Sequence, residues 1–570
     1  MKVINTDLLI VGGGGAGTFA AIVAQDAGMR VLLVVKSLLG RGGCSGILGF
    51  TGSGVHIKTM VANPNEAFED KIKYYTHYLG DQDFMKESAA AGPEILPELE
   101  RMGVYFRRTS SGDLVTCMET GYGLIAPRYG NTGKGVMDVL RAQVFDRKIP
   151  VMEEAMATSL LTQDGQVIGA TVYDFLHGET YAVRSSAVIL ATGQVDFLWK
   201  RSTATREQAG NGLAMAFRAG AELENIEQKW WHIGDIAYPE AWQRFHLYPN
   251  PIPLTMDVAH YYNSAGELFF HSNMYRKSQP SYYIQSKYVM KEIKKGLARP
   301  DGGYFVSYRH VDPKLLEEYS LLWKFFHKIG LDPRKDMAEC AMCCHQMRGG
   351  IRLYPGMATN LPGLFLAGSV AASYISGIVN VCWEGKRAVS FAGDWVRKMK
   401  NRPVSNPEQE KIEEARIRSV CENSHPDGVL PAVLKRTIRE TMSKFMPYAK
   451  SQVKMEGGLE EIRRIKRDLV PRMVVPSASG RFNWDVVDAL DVFDMLTCCE
   501  LDILSGLQRK ESRGGFYRED YPVTDNLSWL KKIVLRKGRA DGEVEISLVP
   551  VELKYVKPPD DKADFLSTEY

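Results

Sequence analysis

The run Asp7-Leu-Leu-Ile-Val11, followed at once by Gly12-Gly-Gly-Gly-Gly-Ala-Gly17, constrains this 570-residue chain more than any other feature. Asp7–Val11 is a short apolar run of the kind that forms a buried parallel strand. Gly12, Gly14 and Gly17 fit G-x-G-x-x-G directly after it. Small, helix-compatible residues fill Thr18–Ala27, Gly28 stops the helix, and Val31–Val35 reads as a second strand. In such a βαβ unit the first glycine makes the tight turn and the second lets backbone approach a pyrophosphate. The third lets helix pack on strand, with the helix N-terminus facing the phosphates. The opening of the chain therefore predicts a dinucleotide cradle.

The second strand of such a unit usually ends in an acidic residue that holds a ribose hydroxyl. Val35-Lys36 stands there instead, and Ser37–Gly46 forms a second glycine-dense, nearly uncharged loop. Two such loops in a row suit a long, doubly phosphorylated cofactor and favour FAD over NAD; no second fingerprint marks a nicotinamide site. Strand-and-glycine runs at Ala187–Gly193 and Gly363–Gly368 extend the α/β sheet. Between residues 232 and 345 the texture turns aromatic and proline-rich, as in YPNPIPL and QPSYYIQSKYV, which predicts an inserted domain. Beyond Pro407 amphipathic helices take over, with Leu459, Ile462 and Ile465 at near-helical spacing, before a short β-rich tail containing VEISLVPVELKYV. There is no internal repeat.

Charge and cysteine content narrow the function classes. Seventy-one Lys+Arg against 68 Asp+Glu leave a net charge of +3, without the basic stripe of a nucleic-acid binder. No apolar run is long enough to span a bilayer. The N-terminus lacks the basic region and cleavage site of a signal peptide, so the default location is cytoplasmic. Nine Cys, an odd number thinly spread through a chain large enough to fold without staples, read as reduced thiols. Cys340, Cys343 and Cys344 make C-x-x-C-C just before His345, but a zinc site usually takes two paired clusters and the next cysteine, Cys382, stands alone. They and Cys498-Cys499 are expected to be buried thiols, with no metal. No ferredoxin-type cysteine run supplies an iron–sulfur cluster.

Several motifs in a fixed order carry a family likeness. They are the N-terminal loop, LGRGGCSG, ILATG (189–193), AGNGLAMAFRAGAEL (209–223), HQMRGGI (345–351), PGLFLAGS (362–369) and ESRGGFYREDYP (511–522). On these the chain resembles the flavoprotein subunits of the succinate dehydrogenase, fumarate reductase and L-aspartate oxidase family, to which the adenylylsulfate reductase flavoprotein is related. The resemblance implies an α/β fold: a Rossmann-like FAD-binding domain (1–231 and 346–400), an inserted α+β capping domain (232–345) and a C-terminal helical domain with a short β-rich tail (401–570). It implies that Gly12, Gly14, Ala16 and Gly17 cradle the FAD pyrophosphate, with Lys36 next to the adenosine. Gly43, Cys44 and Ser45 would line the flavin side of the second loop. Ala157 would lie near the adenine, and Ala191, Thr192 and Gly193 behind the dinucleotide. Asn211 replaces the Asp of the family's TGDG segment. After Gly368, Ser369 replaces the Glu that commonly holds the ribityl chain. The covalent flavin link of respiratory members needs a His in the second loop; residues 37–46 contain none, so the FAD is expected to be non-covalent.

The catalytic set departs from the family. Respiratory members hold a dicarboxylate with arginines and two histidines, because burying two negative charges without fixed cations is prohibitive. Here Tyr282 falls where the acid arginine belongs, Lys287 at the second arginine and Asn380 at the clamp arginine. Both histidines survive as His345 and His232. Trp230, Trp231, Tyr282, Tyr283, Tyr374 and Trp383 surround these positions, which suits a ring-bearing or bulky substrate. Trp231, Tyr283 and Asn380 are the expected substrate wall, Arg276 and Arg348 the anchors for a single anionic group, and His345, His232 and Tyr282 the proton handlers. The resulting expectation is an FAD-dependent reductase or dehydrogenase working at flavin N5 on a C–C or C=C bond of a non-dicarboxylate substrate. The resemblance adds an iron–sulfur partner that exchanges electrons, with ESRGGFYREDYP and the C-terminal helices near it; plain helix-to-cap packing is the rival use of that segment. The alternatives are an adenylylsulfate-reductase-like enzyme and a non-catalytic electron-transfer flavoprotein.

Overall fold

The computed structural model describes residues 1–47, 64–106, 108, 110–113, 132–235, 260–271, 281–299, 302–313, 330, 332, 334–399, 406–540 and 542–567. Lys2–Val11 (β1) runs into Gly15–Asp26 (α1) and then Val31–Val34 (β2), giving the expected βαβ unit. β1 pairs parallel with β2 (Leu8↔Val31) on one side and with Glu179–Leu190 (β6, Leu8↔Ala187) on the other. Val151–Met152 (β3) extends the sheet beyond β2; Ala155–Gln163 (β4) and Gln166–Asp174 (β5) extend it beyond β6. Leu364–Leu366 (β14) completes the seven-stranded sheet by pairing parallel with β6. Leu8 and Ile10 face one core and Leu9 and Val11 the other, because side chains alternate along a strand that is covered on both faces.

α1 packs on Ile378–Lys398 (α5), where Gly385 lets the two helices touch: a Cβ there would lie 2.4 Å from the Ala16 carbonyl oxygen. Ala91–Arg101 (α2) flanks α5, and Asn211–Arg218 (α3) leads into Leu223–Glu224 (β7).

A second, five-stranded sheet forms the insert. It comprises Lys229–Asp235 (β8), His260–Tyr262 (β9), Leu268–Phe270 (β10), Tyr304–Ser307 (β11) and Ala338–Met347 (β12), with Ser281–Lys294 (α4) against β8. The insert boundaries expected at 232 and 345 fall inside its first and last strands. β12 pairs antiparallel with β8, with a register irregularity between Cys344 and Gln346.

Pro407–Glu422 (α6), Pro431–Phe445 (α7), Gln452–Arg464 (α8) and Trp484–Gln508 (α9) form the C-terminal helices. The short strands Ala449–Lys450 (β15) and Tyr517–Arg518 (β16) pair with each other, as do Val523–Asp525 (β17) and Lys562–Asp564 (β20). The β-rich tail also joins the first half of the chain: Lys531–Lys537 (β18) pairs with both Val544–Pro550 (β19) and β7, which continues to Gly350–Ile351 (β13).

A fully buried charge network closes this junction. The Arg509 guanidinium donates to Glu227 at 2.6 Å, Glu511 at 3.0 Å and Asn225 at 3.0 Å, and Arg513 grips Glu511 at 2.8 and 3.0 Å. Residues 511–518 are buried within this chain: Glu511 is held by Arg509 and Arg513, and the Arg518 guanidinium donates to Asp520 at 2.9 Å. Among the described residues, no helix is long and apolar enough to cross a membrane.

Candidate flavin and substrate site

The C-terminal ends of β1, β2 and β6 open into a cavity of about 1060 Å³, part of it continuous with solvent. That is the crevice where ligands of open α/β sheets bind. Gly12 turns the chain out of β1 with a φ of +118°, and a Cβ there would lie 2.2 Å from the Ala191 carbonyl oxygen, so only glycine fits. Gly14 precedes α1 with no side-chain cap, and no acidic residue stands in the first turn. The helix therefore presents backbone N–H groups to the cavity with no built-in anion. Ser45 from the second loop reaches over to accept from the Gly15 amide at 3.0 Å. Gly17 does not line the cavity. Its role is closeness, since a Cβ would sit 1.9 Å from the Gly12 carbonyl oxygen.

The other residues expected at the cofactor converge on the same space: Gly14, Ala16, Lys36, Gly43, Cys44, Ser45, Ala157, Ala191, Thr192, Gly193, Asn211, Gly368 and Ser369 all line it with Gly12. Lys36 is bound from far along the sequence. Its ammonium donates to Asp491 of α9 at 2.5 Å and to Asn211 at 3.0 Å, and Asp491 also takes Lys435 at 2.8 Å. Asp491, which does not line the cavity, is thus engaged by Lys36, Lys435 and Asn211 from three parts of the chain. The Cys44 thiol donates to the Gln208 amide oxygen at 3.0 Å, and burial pushes it up to about 12, so it is a neutral wall group at ordinary pH. The Thr192 hydroxyl, buried in the wall, has no hydrogen-bond partner among the described residues. An open helix N-terminus, two glycine loops and an orphaned wall hydroxyl together fit a pyrophosphate-linked dinucleotide.

The residues expected to bind substrate are less unified. His345 sits at the register irregularity of β12: Cys344 faces Trp231 and Gln346 faces Trp230, which leaves His345 as the extra residue of a bulge. Bulges re-aim a side chain, and they recur next to active sites. The ring is buried, with Nδ1 2.7 Å from the Thr203 hydroxyl. Trp230 and Trp231 point to opposite faces of β8. Trp230 lies under the Arg348 guanidinium at 3.7 Å and beside Tyr75. Trp231 is packed against Trp199 and Tyr448 in the main core. Asn380 is fully buried in the first turn of α5 and donates to the Ser376 carbonyl at 2.7 Å; its neighbour Val381 lines the cavity, and Asn380 does not. Arg276 and the side chains of His232, Tyr282 and Tyr283 lie outside the described residues.

Sequence reasoning passed over several groups. Gln194 lines the cavity and accepts from the Met347 amide at 3.0 Å, which ties the cavity to β12. Gln208 pairs with Cys44, Thr203 with His345, and Asp491 with Lys36. None belongs to a local motif, although Gln194 directly follows ILATG and Gln208 directly precedes the AGNG segment. The cysteines of C-x-x-C-C are buried in β12, where Cys340 and Cys343 donate to the carbonyls of Ala338 and Ala341. Among the described residues no group of His, Cys, Asp and Glu is arranged to hold a metal ion.

A mixed sheet, parallel at its centre, with a glycine-loop cavity at its strand ends and a second sheet inserted beside it, together with the match to an FAD binding domain, defines the class: an FAD-dependent oxidoreductase. The chain belongs to the family of the FAD binding domain, whose model matches residues 7–382, and a fumarate reductase flavoprotein C-terminal model matches residues 435–563. It is therefore of the fumarate reductase/succinate dehydrogenase flavoprotein type. It is 29% identical over 548 residues to a subunit of the fumarate reductase (CoM/CoB) of Methanothermobacter marburgensis, covering 94% of this chain and 98% of that protein. Its fold is similar to that of a variant of E. coli quinol fumarate reductase FrdA, with a TM-score of 0.85, 20% identity and 98% of each chain covered. The adenylylsulfate reductase of Archaeoglobus fulgidus is similar at a TM-score of 0.80, 19% identity and 97% of each chain covered.

Proposed function

We propose that this chain is a flavoprotein subunit that oxidises or reduces a carbon–carbon bond of a bulky or ring-bearing substrate other than a dicarboxylate, and that it exchanges electrons through an iron–sulfur partner. The observation that carries the reading is Asn380: at the position of the family's clamp arginine stands a neutral, fully buried amide that donates to the Ser376 carbonyl of its own helix turn. A substrate bearing two carboxylates would lack one of the cations that its burial requires. FAD bound in the cavity supplies two-electron hydride chemistry at N5. His345, aimed by its bulge and held by Thr203, carries the proton, which suits an imidazole near neutrality. Arg348, stacked on Trp230, anchors a single anionic group. The absence of a second dinucleotide fingerprint supports electron exchange through a separate protein, as does the name of the Methanothermobacter relative, which is that of one subunit of an enzyme.

The test is reoxidation of the photoreduced, FAD-loaded protein by a panel of acceptors under anaerobic conditions. Rapid reoxidation by bulky enoates or aryl-substituted acrylates, with fumarate slow, is the expected result. Rapid reoxidation by fumarate sinks the reading, as does reoxidation by adenylylsulfate alone.

A further inference from the structure

Behind the flavin cavity lies a carboxylic acid that the proposed chemistry does not use. Glu384, in α5, is fully buried. One carboxyl oxygen accepts from the backbone amide of Gly368, and Gly368 and Ser369 line the flavin cavity. Gly368 is fixed there by close packing: its φ is +75°, and a Cβ would lie 3.0 Å from the Ala16 Cβ. The Ser373 hydroxyl lies within reach of the carboxyl and, with the Gly368 amide, offsets part of the burial that raises its proton affinity. Ser373 lines a second cleft, open to solvent, between the 352–357 loop, residues 80–87 and the β18–β19 hairpin. Glu384 thus stands between two cavities, one peptide group behind the wall of the first and one hydroxyl from the second.

We propose that Glu384 is a positioning residue that takes up a proton from the second cleft when the bound flavin is reduced, and thereby ties the flavin's reduction potential to pH. The step balances simply. Two electrons enter the flavin from a low-potential donor such as a reduced iron–sulfur protein, the negative charge this adds to the cavity that Gly368 lines would strengthen the carboxylate's hold on a proton, and one solvent proton arriving past Ser373 forms an O–H bond on Glu384. Reoxidation releases it.

No counter-ion competes for this carboxylate among the described residues. On α5 itself, Lys386 is bound to Glu94 and Glu98 of α2 and Arg387 to Glu87, while Asp394 takes Arg397. Cys382 is a buried thiol held upward by burial. The acidic residue of α1, Asp26, is held by Arg147 at the far end of that helix. On β1 and β6, Asp7 pairs with Arg30, Lys2 with Glu179, and Arg184 with Glu410; the Tyr181 hydroxyl donates to Glu179, and β14 carries no titratable group. Burial without a cation pushes Glu384 up to about 7, so its protonation is adjustable near neutral pH.

The experiment is a spectroelectrochemical titration of the FAD-loaded protein across about pH 5.5 to 8.5, in wild type and Glu384→Gln. The glutamine keeps an acceptor for the Gly368 amide. In wild type the midpoint potential should fall more steeply around neutrality, by one extra proton per two electrons, or about 30 mV per pH unit. In the variant that extra slope is lost. A wild-type profile without the steeper segment overturns the proposal with no variant needed, and so does a segment that persists in Glu384→Gln. Infrared difference spectra give the independent reading: reduction should produce a protonated-carboxyl band that shifts in glutamate-labelled protein, and its absence also overturns the proposal. FAD content is measured first, so failure of the cavity assignment is distinguished from failure of Glu384.

Discussion

The flavin cavity and the Arg509 junction are both interior, yet they are built from opposite materials. The cavity is made of backbone and small side chains: glycines, alanines and a helix end whose amides stay open. The junction is made of long charged side chains, with Arg509, Glu227, Glu511 and Arg513 satisfying one another away from water. The first is arranged to receive charge from outside. The second must be complete within the chain, since a buried ion stripped of its partner costs far more than the pair contributes.

That contrast can be broken most decisively at Arg509. Arg509→Met leaves Glu227 and Glu511 short of their cation and should cost about 3–5 kcal/mol in urea unfolding, with Glu227→Gln in the same chain recovering part of it. A loss below about 1 kcal/mol, the level of an exposed pair, would erase the distinction. In the cavity, Gly17→Ala forces a Cβ against the Gly12 carbonyl and should weaken FAD binding at least tenfold, about 1.4 kcal/mol, in a flavin-fluorescence titration.

Lys71 sharpens the same rule with an unpaired case. Its buried ammonium donates to Ser88 at 2.8 Å, and burial pushes it down to about 7. Between that value and the unfolded value near 10.4 the unfolded chain binds more protons, so stability rises with pH across this window. Lys71→Met should flatten that rise, on the order of 1 kcal/mol per pH unit, in denaturation midpoints measured at several pH values. The smallest effect is expected where the two kinds of construction meet. Lys36→Met removes one cation from Asp491 but leaves Lys435, so about 1 kcal/mol of stability and a few-fold of FAD affinity should be lost.

What was readable in the sequence follows from the same division. A phosphate cradle needs consecutive amides, so Gly12–Gly17 and the strand before it announce themselves locally. A side-chain site assembled across folds leaves no such trace: Lys36 and Asp491 are separated by 455 positions, and Arg509 and Glu227 by 282. The opposite facing of Trp230 and Trp231 follows from strand alternation, but which of them meets Arg348 is set by the partner strand. His345 was found by motif, but the bulge that aims it was not, since a bulge is a property of two paired strands. The 511–522 segment carries a motif, but the pairing of Glu511 with Arg509 and Arg513 that buries it through residue 518 is not legible from that motif alone.

The pairing of β7 with β18 sets an order of manufacture. Leu223 emerges from the ribosome about 300 residues before Leu535, its partner, roughly 15–60 s at ordinary synthesis rates. Until then Leu223–Glu224 has only β13 beside it and an open edge, a template on which a second nascent copy can pair. A message truncated before Lys531 would leave that edge without its β18 partner, so the sheet is completed only by the last stretch of the chain.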